Sequence, residues 1–160
     1  QTILLLSSPI NINHKDKKMK SRLALLSVAL LLAVVANAQT VIGKWKTFDD
    51  STGDAKSIVQ ITERNGKIYG KVIEILNPAM KNIKCKDCSD ADKNKPVLGL
   101  EIIKGLSKDG NSYSDGKILD PSNGKLYKCT ISLDGKNKLK VRGYVGISAF
   151  GRTQTWSRVE

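Results

Sequence analysis

From Val41 to the end of the chain, apolar and polar residues alternate in short runs separated by turn residues at fairly even spacing. A period of two sends successive side chains to opposite faces of an extended strand. Many such runs with turn signals between them read as an all-β barrel or sandwich. The pattern predicts strands over 41–48, 56–63, 67–76, 97–106, 112–119, 125–133, 138–147 and 151–159. Between them stand DDSTGD, RNGK, SKDGN, DPSNG and LDGKN, rich in the Gly, Asn, Asp and Pro of tight turns. Asn65-Gly66 is the strongest hairpin signal.

The clearest strand is LYKCTISL, with Tyr127, Cys129, Ile131 and Leu133 on one face and Lys128, Thr130 and Ser132 on the other. The next sets Leu139, Val141, Gly143 and Val145 inward and Lys138, Lys140, Arg142 and Tyr144 outward. Lysines on the outer face exclude a membrane barrel, whose lipid-facing band is apolar. Eight sequential strands joined mostly by hairpins predict a single small antiparallel up-and-down β-barrel, since closure removes exposed sheet edges. Such a barrel is either filled by side chains or just wide enough for one small ligand. A ligand would face Val59, Ile61, Tyr127, Ile131, Leu133, Val141 and Val145. Gly143 and Gly146 could leave room for it, or mark bulges that let the seventh strand curve, which is the favoured reading.

The front of the chain reads differently. Met19, Lys20 and Arg22 precede the apolar run LALLSVALLLAVVA and then Ala36-Asn37-Ala38, the order of a secretory signal peptide cleaved after Ala38. Residues 1–18 are expected to be an upstream extension, 19–38 the signal, and 39–160 the folded domain. The run is too short for a retained transmembrane helix, which needs about 20 apolar residues. A periplasmic or secreted location follows, in an oxidising compartment. No transmembrane segment is expected after processing, and a monomer is expected.

Processing changes the charge. Of 27 basic and 15 acidic residues, Lys15, Lys17, Lys18, Lys20, Arg22 and Asp16 leave with the first 38, so 22 against 14 remain, a net +8. An anionic envelope component is therefore a candidate partner. Nucleic acid is not, because the lysines are scattered and the whole chain holds eight aromatic residues, too few for a stacking platform. His14, the lone histidine, leaves as well. That removes Ser-His-Asp and Cys-His catalysis and histidine metal ligation. Glu74, Glu101, Asp115 and Asp120 could supply a carboxylate pair, but strand alternation does not bring two of them to one face, and Asp120 precedes Pro121 in a turn. No enzyme, catalytic residue, metal or cofactor is expected.

The one long connection, 77–96, carries Cys85 and Cys88. A redox pair needs a helix after its first cysteine, and zinc needs four ligands. The chain offers neither pattern, so a disulfide that stiffens an exposed loop is the favoured reading. Cys129, on an apolar strand face, reads as a buried thiol, with pairing to Cys85 or Cys88 left open.

Two further stretches carry a resemblance. GKWK (43–46) near the start of the first strand and TQTWSRV (153–159) in the last resemble the lipocalin, or calycin, signature. That resemblance implies that Gly43 and Trp45 plug one end of the barrel and that Arg158 packs across Trp45, with Trp156 nearby. PVLGLEIIKGL, YSDGKILDPSNGKLYKCTISLDG and KLKVRGYVGISAFGRTQTWSRV are similar to the secreted bacterial family of domain of unknown function 2147 (DUF2147). The resemblance implies a lipocalin-like barrel and names no activity. The expected function is non-catalytic binding of a small apolar or amphipathic ligand. The alternative is an envelope-associated interaction protein with a filled barrel, working through its basic surface and the 77–96 loop.

Overall fold

The computed structural model describes residues 39–160, so the expectations for the extension and the signal peptide lie outside the described residues. Eight strands follow in order: β1 (Gly43–Phe48), β2 (Ala55–Arg64), β3 (Lys67–Ile75), β4 (Glu101–Asp109), β5 (Ser112–Asp120), β6 (Lys125–Leu133), β7 (Lys138–Tyr144) and β8 (Gly151–Val159). Each pairs antiparallel with its sequence neighbours, and β1 pairs with β8, so the sheet closes into a barrel. The closing register is Lys44 to Val159, Trp45 to Arg158 and Lys46 to Ser157.

Up-and-down order sends alternate connections to opposite ends. At one end lie the tight β2–β3, β4–β5 and β6–β7 turns. There Trp45, Ile61, Ile68, Leu106, Ile131 and Leu139 are wholly buried and fill the interior. Each such side chain contributes about 2 kcal/mol by leaving water. At the other end lie the β1–β2 turn, the long β3–β4 loop, the β5–β6 turn and the β7–β8 connection.

Two strands depart most from the alternation pattern. The fourth strand runs 101–109, where 97–106 was expected. Val97 and Leu100 are apolar and buried, yet they belong to the loop. Their backbones bond the loop to itself and to β3: Val97 N–H donates to Ile83 O, and Val72 N–H to Leu100 O. Loop residues that pack on a barrel end carry the same apolar signal as strand residues. The seventh strand stops at Tyr144 instead of 147. It pairs without a register shift on both sides, so Gly143 marks no bulge, and Gly146 lies beyond the strand at φ +69°.

Candidate functional site

The second end of the barrel holds a cavity of about 790 Å³. Its inner wall is apolar and buried: Val72 from β3, Ile102 from β4, Leu119 from β5, Val141 from β7 and Trp156 from β8. Thr47 and Ser57 also reach it, and both are buried with their hydroxyls 2.8 Å apart, so neither is left unpartnered. Gly143 also lines the wall, presenting no side chain.

The mouth is mostly polar and half-buried to exposed. Asp49 and Asp50 come from the β1–β2 turn, Asp120 and Asn123 from the β5–β6 turn, and Arg152 and Gln154 from β8. Gln154 links wall to rim: its Oε1 accepts from Trp156 Nε1 at 3.1 Å, and its Nε2 donates to Asp50 Oδ2 at 2.8 Å. Arg152 completes the chain with an ion pair to the same carboxylate at 2.8 Å. Backbone N–H groups of Ser51 and Thr52 bond Asp49 and hold its carboxyl below the usual range. Tyr127 adds a hydroxyl that accepts from Asn123 Nδ2 at 3.1 Å.

The β3–β4 loop folds over part of this mouth, contributing Met80, Ile83 and Val97. Cys85 and Cys88 are joined as a disulfide. They are not on an exposed loop surface as expected: both are buried. The reason is the partner the loop finds. Cys85 Sγ lies 3.6 Å from Pro121 O, and the Asp87–Cys88 backbone presses on Gly124 of the β5–β6 turn. A side chain at Gly124 would collide with Asp87 O, and glycine adopts its φ of +69° without strain. After the pair comes only a one-turn 3-10 helix, Asp90–Asp92, and Asp92 ties the loop to β4 through an ion pair with Lys104. That lysine's hydrogen bond lowers the Asp92 pKa. Cys129 is free and buried, and burial pushes its thiol up to about 12.

Of the seven residues expected to face a ligand, Tyr127, Val141 and Val145 line the cavity. Val59, Ile61 and Ile131 are wholly buried in the core and do not line it, and Leu133 is half-buried against that core. Val145 is a correction: at 67 % exposed it stands at the mouth, because β7 has already ended. Gly43, Trp45 and Arg158 meet at the filled end. Arg158 lies 4.2 Å over the Trp45 ring, and its guanidinium donates to Lys136 O, Ile42 O and Thr40 O. Trp156 is a second correction. It shares the strand face of Arg158, but it belongs to the cavity wall, since two residues along β8 move a side chain toward the open end.

Sequence reasoning missed the wall residues Val72, Ile102 and Leu119 and the rim residues Asp50, Arg152 and Gln154. The apolar positions are visible in the alternation, but which end of the barrel is empty is not. Of the four candidate carboxylates only Asp120 lines the cavity, and its oxygens are engaged by Ser122 and Asn123 within its own turn. Among the described residues no three His, Cys, Asp or Glu side chains cluster to hold a metal ion, and no helix is long and apolar enough to cross a membrane.

Residues 43–158 match a family described as "Uncharacterized protein conserved in bacteria (DUF2147)". Among solved structures the chain is similar to protein HP1028 of the human pathogen Helicobacter pylori, described as belonging to the lipocalin family. The two share 24 % identity with a TM-score of 0.67, over 76 % of this chain and 84 % of that one, a likeness of fold. Among curated proteins there is no match.

Proposed function

This chain belongs to the bacterial family DUF2147, and from that footing we propose that it is an exported, non-catalytic binding protein that holds one small apolar or amphipathic ligand in its barrel. The observation that carries the reading is the cavity of about 790 Å³ with a buried apolar wall and a mostly polar rim. That volume falls in the range of ligand pockets, and an apolar wall with a few placed polar groups is their usual make-up. An amphipathic molecule would put its tail against Val72, Val141 and Trp156 and its head among Asp50, Gln154 and Arg152. The signal-like segment before Gln39 supports export, and the Cys85–Cys88 disulfide suits an oxidising compartment. The competing reading, a scaffold with a filled barrel, is disfavoured by the same cavity.

The test uses the two tryptophans: Trp156 lines the cavity, and Trp45, opposite Arg158 in the β1–β8 register, is packed in the filled end below it. A dodecanoic acid brominated on its tail quenches only an indole it touches. Residues 39–160 carrying Trp45→Phe, with Trp156 retained, should be quenched in a saturable titration. The Trp156→Phe protein, with Trp45 retained, should not respond. Quenching confined to Trp45, or to neither indole, would overturn the proposal.

A further inference from the structure

The β7–β8 connection, 145–150, is the one part of the cavity's rim that faces outward with apolar side chains. Val145 is 67 % exposed, Ile147 62 % and Phe150 77 %, the three highest values among exposed large hydrophobic residues in the described chain. They fall within six consecutive positions. Isolated exposed apolar residues are ordinary, but a cluster on one projecting segment marks an interaction surface.

The segment is held in shape by cations. Arg142 donates to Ser148 O through both Nε, at 2.9 Å, and Nη2, at 2.5 Å, and reaches Thr153 Oγ1 through Nη1 at 2.8 Å. Lys128 Nζ donates to Gly146 O at 3.3 Å. Arg152 stands immediately after Gly151 with its side chain 67 % exposed. Of the carboxylates at this end, Asp50 is paired with Arg152, while Asp49 and Asp120 stay ionised and are held by hydrogen bonds inside their own turns, away from the 145–150 segment in sequence. The outward character of the segment is therefore three apolar tips with Arg142 and Lys128 at their base.

We propose that 145–150 docks on an anionic lipid surface, with Val145, Ile147 and Phe150 entering the acyl boundary and Arg142 and Lys128 at the level of the lipid phosphates. Apolar side chains that dip below headgroups while basic residues pair with them is how peripheral proteins bind such surfaces. The choice of lipid over protein rests on this charge complementarity, on the net +8 of residues 39–160, and on position. Val145 and Phe150 also line the cavity mouth, so a docked segment would present the opening to the bilayer. An amphipathic ligand could then pass from membrane to barrel with little exposure to water. The inference rests on the binding reading only for this transfer role; the docking surface itself stands on the segment.

The experiment is co-sedimentation of residues 39–160, which contain the whole closed barrel, with vesicles of phosphatidylcholine alone and with about a third phosphatidylglycerol added. The wild type should bind the anionic vesicles, and more weakly as salt rises. Ile147→Glu touches neither cavity nor core and should weaken binding about tenfold or more, as should Lys128→Glu. The triple variant Val145→Ser, Ile147→Ser, Phe150→Ser should abolish it. Equal sedimentation of wild type and Ile147→Glu would overturn the proposal, as would no sedimentation of the wild type. So would a wild-type dimer that the triple variant converts to monomer, which would make the segment a contact between copies. Because the fatty-acid titration is made without vesicles, retained Trp156 quenching beside absent vesicle binding would sink the docking alone.

Discussion

Cys129 shows how one residue's environment becomes a measurable property of the protein. Its strand partner is Gly143 and its thiol is enclosed, so the thiolate is disfavoured and the pKa rises from about 9.0 to about 12. Below pH 9 the thiol is protonated in both folded and unfolded chains and costs nothing. Between pH 9 and 12 the unfolded chain loses its proton first, so stability falls as pH rises. The loss from this group should be about 1 kcal/mol by pH 10. Comparing urea midpoints at pH 8 and pH 10 for wild type and Cys129→Ala isolates it from the lysines and tyrosines, which both proteins share. An equal pH dependence in the two would show that the thiol is not enclosed. Cys129 was legible in the sequence as a buried thiol because it sits on the apolar side of a regularly alternating strand.

Among the elements, the β3–β4 loop departs furthest from its sequence pattern. Lysines and aspartates around Cys85 and Cys88 suggest a solvated loop, yet both cysteines are buried, because a chain this long can fold back over the barrel end. It is held by its own backbone bonds, Cys85 N–H to Lys95 O and Val97 N–H to Ile83 O, and by the Asp92–Lys104 pair. Since Lys104 lowers the Asp92 pKa, that pair supports the loop above about pH 4 and is lost as the carboxyl protonates. The disulfide spans a sequence separation of 3, so its entropic contribution is no more than about 2 kcal/mol. Its effect should be local. In Cys85→Ala, Cys88→Ala the amides of Cys85→Ala, Asn94 and Val97 should exchange with solvent at least tenfold faster, while those of Ile131 and Val141 keep their protection. Uniform acceleration across both sets would mean that the loop and barrel unfold as one unit.

At the scale of the whole molecule, the central fact is that the first and last strands meet. Arg158 joins chain positions more than a hundred residues apart: its guanidinium reaches Thr40 O and Ile42 O while stacking on Trp45. Gly43 is required beneath it, since its φ is +137° and a side chain there would come within 2.8 Å of Arg158 Nη1. Arg158→Lys keeps the charge but loses the planar fork, and should lower stability by about 2 kcal/mol in urea unfolding. Full stability in that variant would show that the seam is held by strand pairing alone.

The amino-acid sequence by itself determined the strand count, the antiparallel order and the closing motif. Each depends on information local in the chain: a period of two, glycine and asparagine in turns, and residue types at the two ends. Gly43, Trp45 and Arg158 were readable because that motif carries them together. Tertiary structure alone decided which end of the barrel is filled and which is hollow. Trp45 and Trp156 have the same chemistry and both lie on inward strand faces, but one is packed in the plug and the other lines the cavity. The difference comes from the β1–β8 register, which seats Trp45 opposite Arg158 and leaves Trp156 nearer the mouth, and that register is set by contacts distant in sequence. Val97 and Leu100 read as part of the fourth strand for the same reason, because an apolar residue records that it is buried and not what buries it. The grouping of Asp50, Gln154 and Arg152 at the rim, on segments a hundred residues apart, exists only once the barrel has closed.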